Sequence, residues 1–165
     1  MKTLRIRLRA ALYGVFYRLP QPVRNRIVRL GVRTYVVGAV VVVRDSDTDG
    51  QRILLLRQPP NRGWGLPAGL LQSGEDPARG AVRELAEETG IQLSPADLSE
   101  ASPNALVHKS WIDLVFTTTI SAANTTVTVD GAEVLEAAWY DLAALPPLTK
   151  ASARLLGRYG LGPHA

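Results

Sequence analysis

A chain of 165 residues, 46% hydrophobic and 21% charged, has the composition of one folded domain and not of a disordered tail or a fibrous repeat. It has no cysteine, which excludes a disulfide framework, a thiolate metal site and a cysteine nucleophile; with only two histidines, His108 and His164, a histidine-rich metal site is disfavoured as well. The formal charge of +4 hides a division, because residues 1–44 carry ten Lys/Arg and no acid while the rest balances at −6.

In chain order, residues 3–19 place Leu4, Leu8, Leu12, Val15, Phe16 and Leu19 at helical spacing among arginines. A second short basic helix is expected after Pro22, with Val23, Ile27 and Leu30 on one side. This basic amphipathic arm, residues 1–33, can pack on protein, which is the ordinary use of such a stripe, or lie on an anionic membrane surface. The apolar run Ala10–Tyr17 has no small-residue cleavage site after it, and Arg18, Pro20 and Pro22 follow. It is therefore not read as a signal peptide, and a cytoplasmic location is expected. No segment approaches the roughly 18–20 apolar residues of a membrane span.

From Thr34 the period changes. Tyr35–Arg44 and Arg52–Arg57 read as strands, and the turn formers Asp45 to Gly50 between them predict a hairpin. A Pro/Gly/Asn loop and the stretch Trp64–Gln72 come next. Asp76 as N-cap, Pro77 at the first helical position and Gly90 as terminator predict a helix ending near residue 89. Further strands are expected at Ser110–Ile120, Thr125–Val129 and near Ala137–Tyr140, and a last helix from Thr149 to about Tyr159. The expectation is one α+β domain with a mixed sheet, residues 34–165, with the arm in front.

The chemistry is concentrated in Gly69 to Ile91. On the predicted helix Glu84, Glu87 and Glu88 stand at i, i+3 and i+4, so their carboxylates share one side, while Ala78, Ala81, Val82 and Leu85 form an apolar side. Three like charges near a helix C-terminus repel one another and oppose the helix dipole, costing about 0.3–1 kcal/mol each where exposed. A hard divalent cation turns that penalty into a use, since it takes carboxylate oxygens and still coordinates phosphate. With oxygen the only donor in supply, magnesium or manganese is the expected ion.

The full pattern resembles the Nudix box: Gly69, five residues, Glu75, seven residues, Arg83-Glu84-Leu85, one residue, Glu87-Glu88, one residue, Gly90-Ile91. Seven of these positions admit one residue type, each present at roughly 5–7% in average composition, so a chance match is about one in a million. The resemblance continues into Trp64-Gly65-Leu66-Pro67-Ala68-Gly69, like the family's entry loop with Ala68 for the usual glycine, and into Glu133–Leu142, like the segment that returns another glutamate to the site. It covers about residues 35–146, and the basic arm lies outside it.

The likeness implies a Nudix fold, an α/β/α sandwich around a mixed sheet. It implies a Mg2+- or Mn2+-dependent pyrophosphohydrolase that splits the diphosphate of a nucleotide sugar, ADP-ribose-like compound, dinucleotide or NTP by water attack at phosphorus. Glu84, Glu87 and Glu88 are then the metal ligands, with the Gly69 carbonyl an additional one. Glu75 and Arg83 orient the site, and Glu84 and Glu133 are the candidate general bases, with Glu136 a third. Arg57 matches a position where many members carry a base and is a substrate-binding candidate. Arg62 is a candidate for phosphate and Trp111 for base stacking, against the plainer readings of a solvated arginine and a core tryptophan. Lys109 and His108 are left open. Many relatives are dimers, so a homodimer is compatible. The alternative is a non-catalytic module binding nucleotide or RNA through the basic arm. Such modules lose box glutamates, and here all are kept, so a small-molecule substrate is favoured over nucleic acid.

Overall fold

The computed structural model describes residues 2–32, 34–60 and 62–162, apart from the side chains of residues 2–4 and 8; the side chains of the expected stripe residues Leu4 and Leu8, and the whole of His164, lie outside the described residues. The backbone divides into two units, residues 1–35 and 36–165.

In the larger unit a valine-dominated segment forms the central strand β1 (Val36–Asp45), buried from Gly38 to Val43. Branched side chains suit a pleated surface packed on both faces. Along one edge, β1 pairs in parallel with β6 (Trp111–Ile120) from Val36↔Trp111 to Asp45↔Ile120. Its other edge is shared: Arg44 faces Ile53 of β2 (Arg52–Arg57), while Gly38–Val40 face β4 (Ala68–Leu70). β2 also pairs with β3 (Trp64–Gly65) and with β7 (Glu136–Asp141), and β5 (Ser99–His108) closes the far edge beyond β6. The sheet is thus mixed, and it forks where β1 changes partner. That fork lets the chain from β4 enter the next helix directly over β1.

Alternation along β1 sorts the core. Ala39, Val41 and Val43, with Leu54 and Phe116, face Ala81, Leu85 and Ile91 of helix α3 (Pro77–Thr89) and the turn after it. Val40 and Val42, with Ile53, Leu55 and Val115, face Trp64 and Leu66 and Leu155 and Leu156 of helix α4 (Lys150–Arg158). Each fully buried leucine or isoleucine stabilises by about 1.5–3 kcal/mol, enough in sum to fix the register on both faces. α3 lies against one face and α4 against the other, the α/β/α arrangement expected.

α3 is bounded as its sequence dictates. The Asp76 carboxylate accepts from Ala78 N and Arg79 N, and Gly90 ends the helix at φ 72° with its N–H on Ala86 O. A side chain on Gly90 would also strike Thr128 Oγ1 at 2.2 Å.

Two expectations require correction. Thr125–Val129 is not a strand: Val127 packs into the α3-side core and Thr128 N donates to Thr89 O, with no ladder partner. Its β-branched pattern serves to seal the end of α3 instead. Conversely, β5 was not expected, because its polar residues and Pro103 conceal it. An edge strand tolerates both, and a bulge between Glu100 and Ala105 absorbs the misfit.

The smaller unit holds α1 (Lys2–Arg18) and α2 (Gln21–Gly31), joined through Leu19 and Pro20. The second helix begins one residue before Pro22 and not after it, with the proline tolerated in its first turn.

Candidate active site

The helix periodicity that buries Leu85 turns Arg83, Glu84, Glu87 and Glu88 towards the loop after β4. Arg83 organises this side. Its Nε donates to Glu75 Oε1 at 2.8 Å and one terminal nitrogen to Glu75 Oε2 at 2.9 Å, a two-pronged pair across the loop–helix junction. That same nitrogen donates to Leu70 O at 3.1 Å, and the other donates to Glu84 Oε1 at 2.7 Å and Glu87 Oε2 at 3.2 Å. One guanidinium therefore holds the loop, the helix and two of the clustered carboxylates in place, which exceeds the small worth of a simple surface ion pair.

The hydrogen bonds from Arg83, and then from Gln72 N, hold Glu75 well below its ordinary 4.5, at about 2. The same carboxylates raise Arg83 still further above its ordinary value. Because the folded value of Glu75 is depressed, its contribution to stability is present above about 4.5 and is lost as pH falls towards about 2. Glu75→Gln is therefore expected to lower the denaturation midpoint at neutral pH. Its difference from wild type should shrink as pH falls from about 4.5 towards about 2 and vanish only below that. A difference that persists in acid would show that Glu75 acts by packing and not by charge.

Glu88 is only 5% exposed. Gln58 Nε2 donates to one of its oxygens at 2.8 Å and Ala68 N to the other at 2.9 Å. Burial pushes it up to about 8 against those two hydrogen bonds, and the charges of Glu84 and Glu133 push the same way. Glu88 therefore lies within the field of both Glu84 and Glu133. Glu133 reaches it from the loop before β7, where Asp130 accepts from Ala132 N, Glu133 N and Val134 N at 3.0–3.1 Å. Glu87 stands outside, its side chain 60% exposed.

Gly69 lies directly beneath Glu84. A Cβ on Gly69 would sit 1.8 Å from Glu84 Cδ, so only glycine leaves that carboxylate its place. The Gly69 carbonyl oxygen itself is turned to β1, 3.1 Å from the Cβ position of Gly38.

Among the described residues no three acidic or histidine side chains converge on one point as a finished metal cage. Like charges repel, and the glutamates divide between two sets of partners: Glu84 and Glu87 share Arg83, and Glu88 uses Gln58 and Ala68 N. The donor chemistry still fits a hard divalent cation, since every available ligand is carboxylate or backbone oxygen.

The remaining candidates lie further out. Arg57 pairs with Glu136 across β2 and β7 at 2.6 Å and stacks on the Trp64 ring at 5.7 Å, so its charge is already shared. Arg62 is exposed in the loop before Trp64. Trp111 opens β6 at 45% exposure, opposite His108, and is no core tryptophan. His108 and Lys109 are exposed, Lys109 in the turn between β5 and β6 at φ 54°. Two positioning residues were not foreseen: Gln58, whose side chain fixes Glu88, and Asp130, which shapes the Glu133 loop. Neither belongs to a spaced pattern, although Asp130-Gly131 is a recognisable turn pair.

Comparison with known proteins adds lineage to this geometry. A family model described as NUDIX domain matches residues 34–159. The mouse protein named nucleoside diphosphate-linked moiety X motif 6 is 32% identical over 142 residues, covering 79% of this chain and 44% of its own length. Human 8-oxo-dGDP phosphatase NUDT18 is 33% identical over 132 residues, covering 77% and 37% respectively. This chain thus spans less than half the length of these curated relatives. Among solved structures, a MutT NUDIX hydrolase from Burkholderia pseudomallei aligns with TM-score 0.58 at 26% identity, over 78% of this chain and 96% of that one. The NUDIX domain of Shewanella oneidensis NrtR, solved with ADP ribose, shares the fold with TM-score 0.63 at 19% identity, over 79% and 89%. With its box intact on α3 and the family model spanning most of its length, this chain belongs to the Nudix family.

Proposed function

We propose that this protein is a divalent-cation-dependent pyrophosphohydrolase that splits the diphosphate linkage of small nucleotide-linked substrates by attack of water at phosphorus. The observation that carries the reading is the buried carboxyl of Glu88, raised by burial and by the charges of Glu84 and Glu133, a grouping of acids that folding alone does not reward. Glu84, Glu87 and Glu88 would hold the cation, which supplies charge neutralisation at the diphosphate and an acidified water when bound. The residues of the chain do the rest. Arg83 and Glu75 fix the loop against the helix, Gln58 and Ala68 N aim Glu88, and Glu84 or Glu133 would take the proton from water. Relatives whose names mention nucleoside diphosphate-linked moieties and 8-oxo-dGDP support a nucleotide-linked substrate.

The test is a panel of ADP-ribose, dinucleotides, nucleotide sugars and nucleoside triphosphates with Mg2+ or Mn2+. At least one class is expected to yield phosphate-containing products, with turnover abolished by chelation and restored by metal. Complete inactivity across the panel, with tight RNA binding in its place, would favour the binding-module reading.

A further inference from the structure

The N-terminal unit carries a feature that hydrolysis does not use. Between Leu12, Val15 and Phe16 of α1, Leu19 of the connection and Ile27 of α2 lies an apolar groove of about 510 Å³, with Arg9 in its lining. Around it large apolar side chains stand in solvent: Leu12 at 62%, Val15 at 60%, Tyr17 at 67% and Leu30 at 86% exposure. Ile6, Tyr13 and Val28 are exposed as well. A patch of this kind marks a surface that something covers.

Charge restricts what that something is. The first 44 residues hold ten Lys/Arg and no acid, so a second copy of the arm would set like charges against each other. Nucleic acid answers the charge but leaves isoleucine, valine and leucine wet. An anionic bilayer answers both, offering phosphate at one depth and acyl chain just below.

α1 and α2 contribute to the exposed surface differently. The exposed apolar residues of α1 are spread around the helix, with Leu12 and Val15 on one side and Ile6, Tyr13 and Tyr17 on another, and arginines stand between them. α1 therefore has no single apolar face, and the one-sided stripe of the hairpin is that of α2, where Val23, Ile27 and Leu30 share a side bordered by arginines whose stems can run along apolar surface while their guanidinium groups stay at the polar level. Tyrosine favours the same depth. Arg24 stacks over the Tyr17 ring at 5.8 Å and ties α2 to α1. No described helix is long and apolar enough to cross a membrane, so the arm would lie on the surface.

We propose that the α1–α2 hairpin is a docking surface for an anionic lipid bilayer, holding the hydrolase at a membrane face. The experiment is co-sedimentation of the full chain with phosphatidylglycerol/phosphatidylcholine vesicles and with pure phosphatidylcholine vesicles. Binding is expected to the anionic vesicles alone. Replacing Arg5, Arg7 and Arg9 by glutamine should lower the partition coefficient roughly a hundredfold, about fivefold per charge. Leu12→Ser with Val15→Ser should lower it at least about tenfold through lost apolar burial. Tryptophan fluorescence checks the hydrolase unit, since Trp64, Trp111 and Trp139 all lie outside the arm, and far-ultraviolet circular dichroism checks that the arm of each variant keeps its helices. Equal binding to neutral vesicles, no loss in the arginine variant, or full retention in the serine variant would each overturn the proposal. So would RNA competing the chain off anionic vesicles with the serine variant's RNA affinity unchanged, which would make the arm a nucleic-acid binder.

Discussion

Glu88→Gln is expected to lower turnover by about 10²- to 10³-fold, the usual loss when one group that stabilises transition-state charge is removed, while leaving the fold in place. Both halves follow from the environment of that side chain. Glu88 is buried, and burial pushes its carboxyl up to about 8, so the protein without cation already favours the neutral form. Glutamine has the shape of that form. Its amide oxygen can accept from Ala68 N as the carboxylate does, and the Gln58 amide can turn to present oxygen to the new NH2 group. No buried polar atom is stranded, which is the usual reason for a large loss of stability at such a site. What the variant lacks is negative charge beside Glu84 and Glu133. The thermal midpoint measured in chelator should therefore match or exceed that of wild type, while the rise in midpoint on adding Mg2+ or Mn2+ should shrink. Wild-type turnover would remove Glu88 from the chemistry. A collapse of the midpoint would recast it as a structural acid.

The contrast between what the sequence discloses and what it conceals has a physical basis at each position. α3 was legible because every determinant is local: Asp76 caps it, Pro77 starts it, Gly90 stops it, and the 3.6-residue period divides Leu85 from Glu84. β1 and β2 were legible because they are buried on both faces and written in continuous aliphatic residues. β5 was not, since an edge strand owes its existence to the hydrogen bonds β6 offers it and not to its own side chains. Thr125–Val129 erred the other way, with strand-like residues that found no strand to join. In the site, the Glu75–Arg83 pair could be inferred from a spacing of eight across one junction. Gln58 and Asp130 could not be inferred, because each acts through a contact created by the fork of the sheet or the turn before β7. The pairing of Arg57 with Glu136 is likewise a matter of register between strands far apart in sequence.

Gly69→Ala is expected to be the most selective lesion of the site, cutting turnover by about 10²-fold, the order of effect of a 1 Å misplacement of a reacting group. The backbone itself offers no objection. Gly69 pairs with Ala39 in an ordinary antiparallel ladder and is not among the glycines at positive φ, so alanine fits the main chain. The objection is local, for the new methyl would stand 1.8 Å from Glu84 Cδ and 2.0–2.3 Å from its two oxygens. Backbone on a paired strand resists movement, whereas Glu84 is a flexible side chain, so Glu84 gives way. Its displacement also breaks the bond from Arg83, which remains anchored by Glu75 and Leu70 O. The fold should survive with a thermal midpoint close to wild type, while kcat falls and cation is bound more weakly. Restoring activity by raising metal concentration would place the damage in cation binding, whereas a deficit that persists at saturation would place it in alignment of the attacking water. Unimpaired kcat at ordinary metal concentration would mean that Glu84 works equally well from elsewhere, and that the closeness of these two residues has no bearing on the reaction.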